Sequence, residues 1–447
     1  MPVQSAANQG PLTTLFASDA ANPHAAMPAP IPRGVADYFW GEAARRRALE
    51  ADILALFRAW GYGDVLPPAF EYVETLAQRA NPELQSELYR FVDRDGSALA
   101  LRADMTIPVA RLVATRLHDL PMPQRFCYAG SVFRYADTQA GMQREFWQAG
   151  IELIGASEAA ADAEVLALTV RALETAGLPD VRLALGHLGY FHALLAALAL
   201  PARAQEALLT AVDRNSEGAL IDFLQATDLP AAARAAVAGL PHLSSNDAAT
   251  LLARADALCL NDAMRAALVN LRAILDALRG HGLDQRVYVD LTEIHNLGYY
   301  TGMTFEALSA RLGFALASGG RYDHLVGSFG APQPAVGAAL ILDRLLLALR
   351  PNAAPARPLA PHVLDSTQGN ADAHAALETL RRAGLRVAVD LAHRDATPLL
   401  DYAQLVGVKI VLHWSGAAFQ RLRVGSSPES VPVGDALARA LLAEVCA

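Results

Sequence analysis

Residues 146–155 read Phe-Trp-Gln-Ala-Gly-Ile-Glu-Leu-Ile-Gly, and the alternation in this decapeptide restricts the fold more than any other stretch. A helix is disfavoured, because Gly150 would stand mid-helix and Gly155 would follow too soon. In a strand, successive side chains point to opposite faces. Trp147, Ala149, Ile151 and Leu153 then face a core, while Gln148, Gly150 and Glu152 face the other way. An amide and a carboxylate with empty space over the glycine between them would make a floor for a small polar ligand such as an amino acid. The same pattern also fits, and more commonly, a half-exposed strand whose polar groups are solvated.

A chain of 447 residues, 53% hydrophobic and 19% charged, should hold two or three globular domains with a large core. Its net charge of −9 gives no electrostatic footprint for nucleic acid. The three cysteines, Cys127, Cys259 and Cys446, are far apart and odd in number. They fit neither a disulfide framework nor a zinc site and point to a reducing cytoplasm. No apolar run approaches the ~20 residues needed to span a bilayer. Residues 1–31, rich in Ala, Pro, Ser and Asn, have Asp19 as their only charged side chain before the ordered part begins at Pro32. They lack the marks of a signal or transit peptide and read as a disordered leader.

Beyond the leader, the spacing predicts an amphipathic helix over 41–60, with Ala43, Leu49, Ile53, Leu54 and Phe57 inward and Arg45 to Arg47 mostly in water. Gly61 to Gly63 end it, and Val65-Leu66-Pro67-Pro68 follows as an extended edge segment. Segments 88–92 and 98–101 read as a hairpin around Asp93-Arg94-Asp95-Gly96. A helix is predicted over 108–117 and strands over 126–133 and 146–154. Helix 159–176 and strand 181–185 lead into an Ala- and Leu-rich helical insertion at about 190–282. Strands 287–291, 299–307 and 314–317 come next, then a helix over 338–349. These make a core of 32–350. An Ala- and Pro-rich linker, 351–361, separates it from a small α/β domain at 362–447.

Four segments stand in an order that carries a resemblance. They are Leu101-Arg-Ala-Asp-Met-Thr-Ile-Pro108, Gly130-Ser-Val-Phe-Arg-Tyr135 with the 146–155 strand, Tyr299-Tyr-Thr-Gly-Met-Thr-Phe-Glu306, and Ala317-Ser-Gly-Gly-Arg-Tyr-Asp323. With Asp343-Arg344, they make residues 32–349 resemble the core of class II histidyl-tRNA synthetases. The chain resembles still more closely the regulatory subunits of ATP phosphoribosyltransferase, a paralogous family. Residues 362–447 loosely resemble a synthetase anticodon-binding domain. The resemblance implies an α+β fold, in which an antiparallel sheet of six or more strands is flanked by helices, and a dimer formed around Pro67.

It also implies a histidine pocket. Asp104, Met105 and Thr106 would lie at the α-amino end and Arg134 by the carboxylate. Gln148 and Glu152 would hold the amine and imidazole side, with Tyr299 and Tyr300 closing the pocket. Adjacent residues on a strand face opposite ways, so one tyrosine of the two should meet the ligand. The activation machinery, by contrast, looks dismantled: His295, Gly298, Ala136, Met142, Ile341 and Asp343 stand where synthetases carry nucleotide-handling residues, although Arg144 and Arg344 remain. A neutral imidazole cannot replace a guanidinium fork.

The implied function is a non-catalytic regulatory subunit for the first step of histidine biosynthesis. It would sense L-histidine, pair with a catalytic ATP phosphoribosyltransferase subunit, and use no metal or cofactor; tRNA and membrane are not expected as partners. The alternative is a histidyl-tRNA synthetase.

Overall fold

The computed structural model describes residues 30–77, 82–135, 143–214, 216–293, 299–349, 361–366, 370–416, 418–423, 427–431 and 434–446. The leader and the linker fall almost wholly outside these residues.

The core is a nine-stranded sheet. In spatial order its strands are Gly63–Asp64, Gln124–Phe133, Glu145–Ile154, Ala335–Ile341, Leu312–Arg321, Met303–Ser309, Arg182–His187, Val287–Asp290 and Ser244–Ser245. The six from Gln124–Phe133 to Arg182–His187 run antiparallel, as the resemblance implies. The sheet is nevertheless mixed, because Gly63–Asp64 joins one edge in parallel and Val287–Asp290 pairs in parallel with Arg182–His187.

One face of this sheet is the main apolar core. Ala149, Ile151 and Leu153 pack there against the helix Ala159–Thr175, whose Val165, Leu166, Leu168, Val170 and Leu173 are fully buried. Each such side chain contributes about 1.5–3 kcal/mol on leaving water. The helix Trp40–Ala59 adds Leu49, Ile53 and Phe57 at i, i+4 spacing, and it stops at Gly61, whose φ of +87° suits glycine. Arg46 departs from the sequence reading: it is buried and forms an ion pair with Asp343.

The predicted helix 338–349 is a strand for its first third. Ala335–Ile341 lies between Glu145–Ile154 and Leu312–Arg321, and the helix is only Leu342–Ala348. A central strand covered on both faces has no polar side to alternate with, and Val-Gly-Ala-Ala-Leu-Ile shows none.

The hairpin is Arg90–Val92 with Ala98–Leu101, joined by Phe70–Tyr72 in a three-stranded sheet. Between Arg182–His187 and Val287–Asp290 the insertion runs through helices from Leu188–Leu198 to Asp262–Gly280. The C-terminal domain has five strands in the order Val387–Val389, Val363–Asp365, Ile410–Trp414, Phe419–Leu422 and Glu429–Val431, the first three parallel. Its last two strands and the helix Asp435–Cys446 extend the predicted alternation. Arg381 donates to the Val387 carbonyl and pairs with Glu378, so this charge serves the domain itself.

Candidate functional site

The second face of the sheet interleaves glycines with polar and bulky side chains. Register places Gln148 opposite Gly130 and Ile341, Gly150 opposite Tyr128 and Ala339, and Glu152 opposite Phe126 and Gly337. The alternation read from the decapeptide therefore holds, but the polar face is not solvated: Gln148 is 5% exposed and Glu152 0%. Nor is the space over Gly150 empty. The Tyr128 hydroxyl occupies it, and a Cβ at Gly150 would overlap that oxygen.

Among the described residues, Glu152 is held by three hydroxyls and no cation. Its Oε1 accepts from Thr106 Oγ1 at 2.8 Å and from the Tyr128 hydroxyl at 3.1 Å, and its Oε2 accepts from the Tyr322 hydroxyl. Burial pushes this carboxyl up to about 7, against the pull of the hydroxyls, with Asp104 adding to the rise. Gly337 makes the arrangement possible, since a Cβ there would fall on the Glu152 carboxylate.

Asp104 and Thr106 sit at the start of the helix Thr106–Arg116. Asp104 Oδ1 accepts from the Ile107 amide at 3.1 Å, capping the helix. Burial raises the Asp104 carboxyl, while that bond and Arg134 oppose the rise. Arg134 donates from Nε to the Ala103 carbonyl at 2.9 Å, with its guanidinium 5.5 Å from the centre of the Phe146 ring. Gln148 Oε1 is buried and accepts no hydrogen bond, which marks it as a place for a ligand donor.

Tyr299 and Tyr300 precede the strand Met303–Ser309 instead of lying in it. Off the strand, they need not diverge. Their ring centres are 4.9 Å apart, Tyr299 meets Tyr322 edge-on at 5.8 Å, and burial raises both phenols, with the acids at 104 and 152 adding to the rise. Both therefore lie within reach of the two acids. The segment is anchored by the Thr301 amide on the Arg321 carbonyl at 2.7 Å and by the Asp323 amide on Thr301 Oγ1 at 3.1 Å.

Thr106 thus meets the buried Glu152 carboxylate directly, and Asp104, Tyr299 and Tyr300 lie within its electrostatic reach. Met105, 1% exposed, belongs to the apolar cluster that also holds Tyr128 and Tyr322, and it lies beside Gly130, the residue opposite Gln148. Sequence reasoning gave no role to Tyr128 or Tyr322. Tyr322 lies inside a quoted motif, and pairing the strands across Gly150 would have found Tyr128.

Of the positions read as dismantled, Ile341 lies on the pocket face opposite Gln148. Asp343 is structural: it accepts from the Trp147 amide at 2.7 Å and the Tyr38 hydroxyl at 3.0 Å besides pairing with Arg46. Arg344 donates to the Ala315 carbonyl at 2.7 Å, and the Arg144 guanidinium lies 4.4 Å from the Tyr135 ring centre. Ala136, Met142, His295 and Gly298 lie outside the described residues. Among the described residues no three metal-ligating side chains come together, and no helix is long and apolar enough to cross a membrane.

The sequence pattern of histidyl-tRNA synthetases matches residues 34–345. An ATP phosphoribosyltransferase regulatory subunit from Geobacter sulfurreducens is 34% identical over 383 residues, covering 85% of this chain and 87% of that one. One from Moorella thermoacetica is 39% identical over 391 residues, covering 87% and 99%. A crystal structure described as an ATP phosphoribosyltransferase regulatory subunit/histidyl-tRNA synthetase from Bacillus halodurans superposes with a TM-score of 0.75 at 29% identity, covering 87% of this chain and 98% of that one. With its histidyl-tRNA synthetase fold and these relatives, the chain belongs to the family of ATP phosphoribosyltransferase regulatory subunits.

Proposed function

We propose that this chain binds L-histidine in the pocket around Glu152 and passes its occupancy to a separate catalytic ATP phosphoribosyltransferase subunit. The observation that carries the reading is a fully buried carboxylate fixed, among the described residues, by three hydroxyls and no cation. An isolated buried charge is costly, so such a site is completed by a ligand that brings hydrogen-bond donors or positive charge.

Histidine supplies both. Its ammonium has Asp104 and the open Gln148 Oε1 to meet, its carboxylate has Arg134, and its ring has Glu152 between the tyrosines. Feedback then follows by linkage: histidine shifts the complex toward whichever state holds it more tightly, and the coupling is reciprocal.

The chain acts without its own adenylation chemistry in this reading. Ile341 crowds the sheet face beside Gln148, and Arg344 is turned onto the Ala315 carbonyl, while phosphoryl chemistry needs cations on the phosphates. A homodimer is supported by Leu66, Phe70, Tyr72 and Val92, which are 85%, 52%, 59% and 72% exposed around the three-stranded sheet. Cytoplasmic residence fits the free thiols of Cys127 and Cys259.

The test is calorimetric titration of the purified protein with L-histidine, alone and with ATP. Histidine binding without ATP binding is expected. Histidine-dependent exchange of pyrophosphate into ATP would overturn the reading in favour of a synthetase.

A further inference from the structure

The pocket's charges do not balance around a histidine with a neutral ring. Glu152 is faced by Asp104 and Thr106 at the start of one helix, by Tyr128 from one neighbouring strand, and by Tyr322, Tyr299 and Tyr300 beyond them. The strand on its other side presents Gly337, which has no side chain. Tyr62 approaches from behind the sheet as a neutral phenol held up by burial. Arg134 is the guanidinium that acts on Asp104. Arg344 lies next to Arg134 but also against Glu306, whose opposite charge offsets it.

With both acids ionised, the two carboxylates and Arg134 sum to minus one among the described residues. Histidine with a neutral ring is net neutral and leaves that charge buried; with an imidazolium ring it cancels the charge. Leaving a net charge in a water-excluded site costs several kcal/mol, so the cancelled state is favoured.

We infer that the pocket takes L-histidine with one proton shared between its ring and Glu152, so that feedback by histidine is strongest in a narrow window around neutral pH. This rests on the histidine reading above and adds the ionisation state of the ligand and the pH at which the sensor works.

The proton count sets the shape of that window. The empty pocket's carboxyl titrates at about 7, and a free histidine ring at about 6.5. Below both values the separate partners carry two protons, so binding must release one. Above both they carry none, so binding must take one up. Affinity therefore falls on either side of the window, by up to about tenfold per pH unit.

The test is calorimetry of the full-length protein with L-histidine at about pH 5.5, 6.8 and 8 in two buffers of contrasting ionisation enthalpy, which counts protons directly. Expected are nearly one proton released at the lowest pH, nearly one taken up at the highest, and almost none between. Glu152→Gln should abolish the uptake at pH 8. Because that variant also alters binding, the triazole analogue of histidine, whose ring stays neutral, provides an independent probe on the wild-type protein. It should bind at least about tenfold more weakly near neutrality, because Glu152 alone must then hold the proton and no charged ring meets the carboxylate. Tight histidine binding with no proton exchange at pH 8 would overturn the inference and leave the histidine sensor standing. No histidine binding at any pH would overturn both.

Discussion

Arg321 and Tyr322 are neighbours in sequence, point to opposite faces of the sheet, and each meets a fully buried acid. On the core face Arg321 pairs with Asp162 at 2.8 Å. On the pocket face Tyr322 donates to Glu152. Burial raises both acids, Asp162 to about 6 and Glu152 to about 7, but Asp162 has a guanidinium to offset it and Glu152 has hydroxyls alone. The first arrangement has its cation within the chain and holds the helix Ala159–Thr175 to the sheet. The second lacks its cation, which is the property expected of a site finished by a ligand.

The comparison breaks most visibly at the paired acid. Arg321→Met should cost about 3–5 kcal/mol of stability at pH 8, because it strands Asp162 as an unpaired buried charge. The cost should shrink toward pH 5, where Asp162 takes a proton, and denaturant unfolding at the two pH values measures both. A cost under about 1 kcal/mol at pH 8 would mean that the ion pair does not organise this face.

Glu152→Gln tests the other acid, with the opposite result. Folding raises the Glu152 carboxyl from 4.5 to about 7, so its contribution to stability is complete below about pH 4.5 and is lost as pH rises through 7. The variant should therefore gain on the wild type by on the order of 2–3 kcal/mol between those limits. The difference between the two proteins must be used, because His187 works against this slope. Burial holds His187 down at about 4, so its contribution is lost as pH falls from about 6.5 through 4. Histidine affinity should drop about 10–100-fold in the same variant, read by calorimetry at pH 7.

Gly337→Ala places a methyl group where the Glu152 carboxylate lies. Overpacking of this kind costs about 1–3 kcal/mol and should displace the carboxylate, with loss of histidine binding. Ala338→Gly, one residue along and facing the core, should destabilise the protein by about 1 kcal/mol and leave binding intact.

The two faces were unequally legible in the sequence. The Glu145–Ile154 strand shows its alternation because one face is apolar and the other carries Gln148 and Glu152. Its neighbour Ala335–Ile341 is buried on both faces, has no alternation to read, and passed for the start of a helix. The pocket's acids and amide are polar residues in an apolar run and therefore conspicuous. Tyr128 completes the site through strand register and Tyr322 from just past the end of its strand, and no single segment displays either placement. The same limit explains Tyr299 and Tyr300: a strand start drawn a few residues too early put them on opposite faces, whereas the loop lets both turn to Glu152. Arg46 looked like one of three solvated arginines because its partner Asp343 is distant in sequence.

Tyr322→Phe gives the smallest effect and the sharpest separation of ring from hydroxyl. The phenylalanine ring keeps the edge-on contact with Tyr299 and leaves Arg321 on the far face untouched, so packing is preserved. What is lost is the hydroxyl that donates to Glu152 Oε2. A protonated Glu152 loses a neutral partner, worth about 0.5–1.5 kcal/mol, whereas an ionised one loses a charge-assisted bond worth about 1.5–3 kcal/mol. The variant should therefore be destabilised more at pH 8 than at pH 5, and the Glu152 carboxyl should titrate higher than about 7. Histidine affinity at pH 7 should fall by less than about tenfold, since the bound ring supplies a donor of its own. A loss as large as that of Glu152→Gln would mean that the tyrosine hydroxyl, and not the carboxylate behind it, recognises the ligand.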